Sequence, residues 1–246
     1  LAGGFIRALR LNEPADGGSV GEAYPWALPV VAALRGDGLA LHPKVTYLVG
    51  ENGSGKSTLL EALAVACGIN PEGGSSGYAF STRASHSPLG DELRLIRGAR
   101  RWQTDFFLRA ESLFTTATYL ESLSHDPLQS YGGVSLHEQS HGESFLAVMV
   151  NRFGPNGLYL LDEPEAALSP QNCLTCLRRI HELVGVHSQF VIATHSPLVL
   201  AYPDATIYEL SADGVQEIGY EQAEPVRLTE TFLADRERFL SALLDG

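Results

Sequence analysis

The chain has 246 residues, 44% of them hydrophobic and 19% charged, enough for one large α/β domain or two small ones with a buried core. A net charge of −12 argues against non-specific binding of nucleic acid, which rests on neutralising phosphates with Lys and Arg. No apolar run approaches the ~18 residues of a membrane-spanning helix, and the opening LAGGFIRALRLNEP lacks the pattern of a secretory signal, so a cytoplasmic protein with no membrane span is expected.

In chain order, FIRALRL (5–11) alternates as a strand does, and the Gly- and Pro-rich NEPADGGSVGEAYP (12–25) reads as a loop. KVTYLV (44–49) is β-branched and aromatic and runs straight into glycine, and STLLEALAVACG (57–68) has helical spacing with a glycine stop. Strand, glycine loop and helix in that order open a parallel α/β domain. Residues 71–87 are rich in Gly and Ser and read as a loop or insertion. Segments 89–101 and 111–124 read as helices around the short apolar DFFLRA. SHGESFLAVMVNRFG (140–154) reads as a helix starting near Ser140; GLYLLDE (157–163) and SQFVIATH (188–195) read as core strands flanking a helix from about 170 to 184. ATIYELSADGVQEIGYE resembles a hairpin turning at Asp213-Gly214, and TETFLADRERFLSALL (229–244) reads as one closing amphipathic helix.

Cys67, Cys173 and Cys176 are too few for a disulfide framework, and the C-x-x-C pair lies where both side chains share a helix face toward a core. Arg94, Arg97, Arg100, Arg101 and Arg109 crowd one segment, either as a solvated helix face or as a nucleic-acid, partner or phosphate contact.

Residues Gly50-Glu51-Asn52-Gly53-Ser54-Gly55-Lys56-Ser57-Thr58 match G-x-x-x-x-G-K-S completely. Triphosphate oxygens need many N–H donors converging on one concavity, which glycines permit and the following helix start supplements. Lys56 suits the β- and γ-phosphates, and the Ser57 hydroxyl suits Mg²⁺. The apolar strand of 157–161 ends in Asp162-Glu163, where Asp162 would hold Mg²⁺ and Glu163 would address the attacking water. Thr194-His195 ends the next apolar strand, and the imidazole could sense a γ-phosphate or be a surface residue.

Four stretches together, GENGSGKST, SHGES, LYLLDEPEAALS and IATHSP, resemble the ABC-type ATPase family, in particular stand-alone AAA-type members related to recombination, repair and chromosome-maintenance heads. The resemblance spans about residues 24–220. It implies a single P-loop NTPase domain over 1–246: a mostly parallel RecA-like sheet flanked by helices, a helical signature subdomain inserted at about 71–150, and an antiparallel β portion. It also implies ATP and Mg²⁺ as cofactors and hydrolysis of ATP to ADP and phosphate. Two heads would form an ATP-dependent homodimer acting on a nucleic-acid or protein client, with Ser140, Gly142 and Glu143 of one copy capping the γ-phosphate held by the other. The sequence departs from the family where His141 replaces the first signature glycine and Ser169 the usual Asp after Walker B. The Gln that contacts Mg²⁺ has no clear counterpart; by position Glu111 is the candidate. Tyr24 is the candidate for stacking on adenine, against a packing role. Two further classes stay open: a slow ATP-gated binding switch and a P-loop small-molecule kinase.

Overall fold

The computed structural model describes residues 3–12, 24–76, 87–116, 118 and 135–244. With strands numbered in chain order, one sheet runs β5 (Thr104–Arg109), β6 (Gly157–Asp162), β7 (Gln189–Ala193), β3 (Val45–Gly50), β8 (Thr206–Ser211) and β9 (Gly214–Ile218). The first five are parallel to their neighbours and β9 is antiparallel to β8. β6 and β7 are buried along their whole length, because a parallel sheet is covered on both faces and its strands read as unbroken apolar runs.

Alternation along these strands separates two cores. Tyr47, Phe106, Leu108, Tyr159, Leu161, Phe190 and Ile192 face one side, packing against α4 (His141–Arg152) and α5 (Pro170–Gly185). Cys173 and Cys176 belong to this layer, on one face of α5. Leu48, Phe107, Leu158, Leu160 and Val191 face the other side and pack against α2 (Lys56–Cys67). That second layer also takes in an antiparallel sheet of order β2 (Leu39–Ala40), β1 (Ile6–Leu11), β4 (Leu93–Arg97). The Gln189 amide joins the two sheets, donating to the Ile6 and His42 carbonyls at 2.8 and 3.0 Å and accepting from the Ile6 N–H at 3.0 Å.

Several sequence-based expectations are corrected or completed. Residues 89–101 are not one helix: α3 (Leu89–Glu92) is a single turn leading into β4, which pairs with β1 and buries Leu93. The apolar DFFLRA lies in β5, the outer strand of the main sheet. The closing segment is two helices, α7 (Glu224–Ala234) and α8 (Arg236–Leu244), broken at Asp235, whose carboxylate accepts from the Arg238 N–H at 3.0 Å. The hairpin turns one residue earlier than expected, at Ala212-Asp213, with Ser211 opposite Gly214. Residues 13–23 of the proposed loop 12–25, residues 77–86 of the proposed loop 71–87, and most of the proposed helix beyond 116 lie outside the described residues. Among those described, no helix is long and apolar enough to cross a membrane.

Candidate functional site

The sheet order decides what meets at its carboxyl edge. β7 lies between β6 and β3, with Leu48 and Asp162 both in register with Ala193. The turns after these three strands carry the phosphate loop, Asp162-Glu163 and Thr194-His195, so residues far apart in sequence share one crevice, where ligands of open α/β sheets sit.

The loop between β3 and α2 needs its glycines. Gly50 has φ +142°, and a Cβ there would lie 2.2 Å from the Leu210 carbonyl oxygen of β8. Gly55, the N-cap of α2, has φ +101°, and a Cβ there would lie 2.9 Å from Val30. These left-handed turns aim the first-turn amides of α2, which have no partner within the helix, at the concavity. The buried Lys56 ammonium donates to the Gly50 and Glu51 carbonyls at 2.7 and 3.0 Å, and burial lowers its pKa despite the acids nearby. Exposed Tyr24 stands over the start of α2, its hydroxyl 3.2 Å from Thr58 Oγ1.

Asp162 is buried at the end of β6, and the Ser57 hydroxyl donates to its Oδ1 at 3.1 Å. Burial pushes its carboxyl up to about 6, against the downward pull of the Arg109 guanidinium and the Ser57 hydroxyl. Among the described residues, no group of three or more His, Cys, Asp or Glu could hold a metal ion. The donor set instead suits Mg²⁺, which keeps several waters and takes one or two protein oxygens together with substrate phosphates. Asp162 Oδ1 and Ser57 Oγ, hard oxygens from two elements, converge in that way.

Glu163 has φ +48° and ψ +55°, a left-handed conformation rare outside glycine, closed by the turn Pro164–Ala166. Its N–H donates to the Ala193 carbonyl at 3.0 Å, which fixes the turn against β7. Its carboxylate lies 3.8 Å from His195 Nε2. Strain of this kind costs about 1–3 kcal/mol and persists where surroundings over-determine it. Here Glu165 supplies the surroundings: its carboxylate accepts from Thr194 Oγ1 at 2.8 Å and from the His195 N–H. Sequence reasoning missed Glu165, since its partner is a turn about thirty residues away.

A cavity of about 260 Å³ is lined by Ser57, Glu111, His141, Asp162, Glu163, Ala166 and Ala167, among others. Glu111 therefore reaches the same crevice as Ser57 and Asp162, ion-paired to Arg109. Of the SHGES stretch, His141 faces the cavity. Ser140 and Glu143 close on each other as a capping box at the start of α4: Glu143 Oε2 accepts from the Ser140 N–H at 2.9 Å, and Ser140 Oγ accepts from the Glu143 N–H at 3.4 Å. Gly142 is buried, and a Cβ there would come within 3.0 Å of the Ala167 carbonyl. Ser169 caps α5 by accepting from the Asn172 N–H at 3.3 Å.

The arginines do not form one face. Arg94 and Arg97 lie on β4, Arg97 stacks 4.9 Å over Trp102, Arg100 binds Asn156, and Arg109 ends β5 beside Asp162. Sequence reasoning noted Arg109 only as one of that group.

Residues 36–97 match the family model of an AAA domain. That segment contains β3, the phosphate loop and α2. No curated protein matches the chain in sequence. Among solved structures it is similar to the SMC head domain from Thermotoga maritima (16% identity, 73% of this chain and 91% of that one, TM-score 0.40). It is similar also to cbiO1 from Clostridium perfringens, part of the ABC transporter complex cbiONQ (15% identity, 98% and 100%, TM-score 0.49). A third is an SmcHead bound to the C-winged helix domain of ScpA (13% identity, 73% and 91%, TM-score 0.44). The chain thus has a P-loop NTPase fold, with a main sheet that is parallel except for β9 and a separate small antiparallel sheet.

Proposed function

We propose that this protein is a cytoplasmic, Mg²⁺-dependent ATPase of the ABC type, which pairs head to tail with a second copy when ATP is bound and acts on a nucleic-acid or protein client. The observation that carries the reading is the row of three turns at the carboxyl edge of β3, β6 and β7. There the Ser57 hydroxyl meets Asp162 at 3.1 Å, and Glu163 is held at positive φ beside His195.

In this reading the amides of Gly50–Thr58 cradle the phosphates and Lys56 neutralises the β- and γ-oxygens. Ser57 and Asp162 would hold Mg²⁺, with Glu111 lining the same cavity. When bound, the ion would supply charge neutralisation to the phosphates. Glu163 takes a proton from the attacking water, a role commonly worth about 10²- to 10⁴-fold in rate. His195 hydrogen-bonds the γ-phosphate, and Glu165 holds its backbone in place. Ser140, Gly142 and Glu143 serve the partner's nucleotide; the capping box between Ser140 and Glu143 suits a rigid helix start, whose dipole turns its positive end toward that phosphate.

Glu163→Gln removes the base while preserving shape. In ATP the variant should accumulate as a dimer by multi-angle light scattering. A variant that binds nucleotide yet stays monomeric contradicts the paired mechanism.

A further inference from the structure

Arg109 is the last residue of β5 and stands directly across the parallel ladder from Asp162. Its side chain is 11% exposed and lies 5.5 Å over the Phe107 ring. Both terminal nitrogens of the guanidinium find acceptors, while the buried Nε, without a hydrogen bond, is ion-paired to Asp162. Nη1 donates to Glu61 Oε1 at 2.7 Å and lies 3.4 Å from the Pro71 carbonyl; Nη2 meets Glu111 Oε1; Nε lies 3.4 Å from Asp162 Oδ2.

The identity of these partners carries the inference. Glu61 sits one helical turn beyond Ser57 on α2, on the same face. Asp162 divides its oxygens, Oδ1 toward Ser57 and Oδ2 toward Arg109. Glu111 follows β5 by two residues and lines the cavity that Ser57, Asp162 and Glu163 share. One planar cation thus ties together the three elements that carry Ser57, Asp162 and Glu111, from behind the cavity rather than within it. We infer that Arg109 is the positioning residue of the magnesium site, fixing the Asp162 carboxylate so that Oδ1 meets Ser57 Oγ. The inference rests on the Mg²⁺-ATP reading above.

Two physical points favour arginine here. Glu61, Glu111, Asp162 and Glu163 converge on a small volume, and without an interior cation their mutual repulsion would splay the carboxylates apart. A guanidinium also offers five donors in a fixed plane and stays charged throughout the accessible pH range, whereas a lysine at this position could hold one carboxylate firmly but not three.

The test uses the full chain and Mn²⁺, whose binding in the presence of ATP is read by electron paramagnetic resonance. Loss of an outer partner of a metal ligand typically costs about 10–100-fold in metal affinity, and Arg109→Gln should lose that much for Mn²⁺. ATP affinity measured in EDTA should stay at the wild-type value, and the metal concentration for half-maximal turnover should rise more than kcat falls. Arg109→Lys should recover part of the Mn²⁺ affinity. If Arg109→Gln fails to fold because Glu61 is left unpaired, the double variant Arg109→Gln/Glu61→Gln relieves that charge and should still bind Mn²⁺ weakly. Wild-type Mn²⁺ affinity in either glutamine variant overturns the inference and leaves the ATPase reading standing. A wild-type protein that takes up no Mn²⁺ with ATP overturns both.

Discussion

Glu165 offers the sharpest test of how the turns after β6 and β7 are locked together. Its carboxylate accepts from the buried Thr194 hydroxyl at 2.8 Å and from the His195 N–H. Hydrogen bonds to a charged group contribute about 1.5–3 kcal/mol each, but Glu165 is only partly buried and Thr194 Oγ1 also accepts from the Ser196 N–H at 3.0 Å. The two bonds therefore do not add fully, and Glu165→Ala should destabilise the protein by about 2–3 kcal/mol in urea unfolding. For a domain of this size, that corresponds to a drop of roughly 5–10 °C in Tm. Glu165→Gln keeps one neutral acceptor and should lose about half as much. Because the His195 ring stands 3.8 Å from Glu163, release of its backbone should also lower kcat, by up to ~10² for an ångström-scale misplacement. A Glu165→Ala protein with wild-type unfolding and wild-type turnover would refute the lock.

Further expectations follow from the loop and from Asp162. Gly50→Ala places a methyl 2.2 Å from a backbone carbonyl at φ +142°, whereas at Gly53, φ +85°, a methyl meets open space. Both pay the left-handed cost of about 1–2 kcal/mol, but only Gly50→Ala must also move β3 or β8, so differential scanning calorimetry should find it much the less stable. The Asp162 carboxyl titrates near 6 in the fold and near 3.8 unfolded. The folded state then holds the extra proton between these values, so stability from this group is full below pH 3.8 and is lost as pH rises through 6. Relative to Asp162→Asn, the metal-free wild type should lose about 3 kcal/mol across that window, read from urea midpoints at each pH. Metal binding has the opposite sign, since it needs the ionised carboxylate, and should strengthen as pH rises through 6.

What the sequence makes legible is what local chemistry determines. Gly50 and Gly55 have backbone angles that other residues avoid, and KVTYLV and GLYLLD are apolar beyond what a surface strand would tolerate, so both strand-to-turn junctions can be placed from residues alone. The 89–101 segment misleads because its arginines and leucines recur at helix-like spacing. Pairing with β1, which reaches across more than eighty residues, decides for a strand. DFFLRA is too short for its period to declare itself. Arg109 stayed hidden for a related reason: strand-end logic picks out Asp162 and His195 once their strands are recognised, and it would have picked out Arg109 had β5 been recognised as their neighbour.

The central claim is that the loop Gly50–Thr58, with Asp162 beside it, is a magnesium-nucleotide site. Isothermal titration calorimetry of the full chain with Mg²⁺-ATP tests it most directly. Wild-type protein should show saturable heat at one nucleotide per chain, and Lys56→Ala, which removes the ammonium now held on the Gly50 and Glu51 carbonyls, should abolish or greatly weaken it. No heat from the wild type, or equal affinity in Lys56→Ala, would contradict the account.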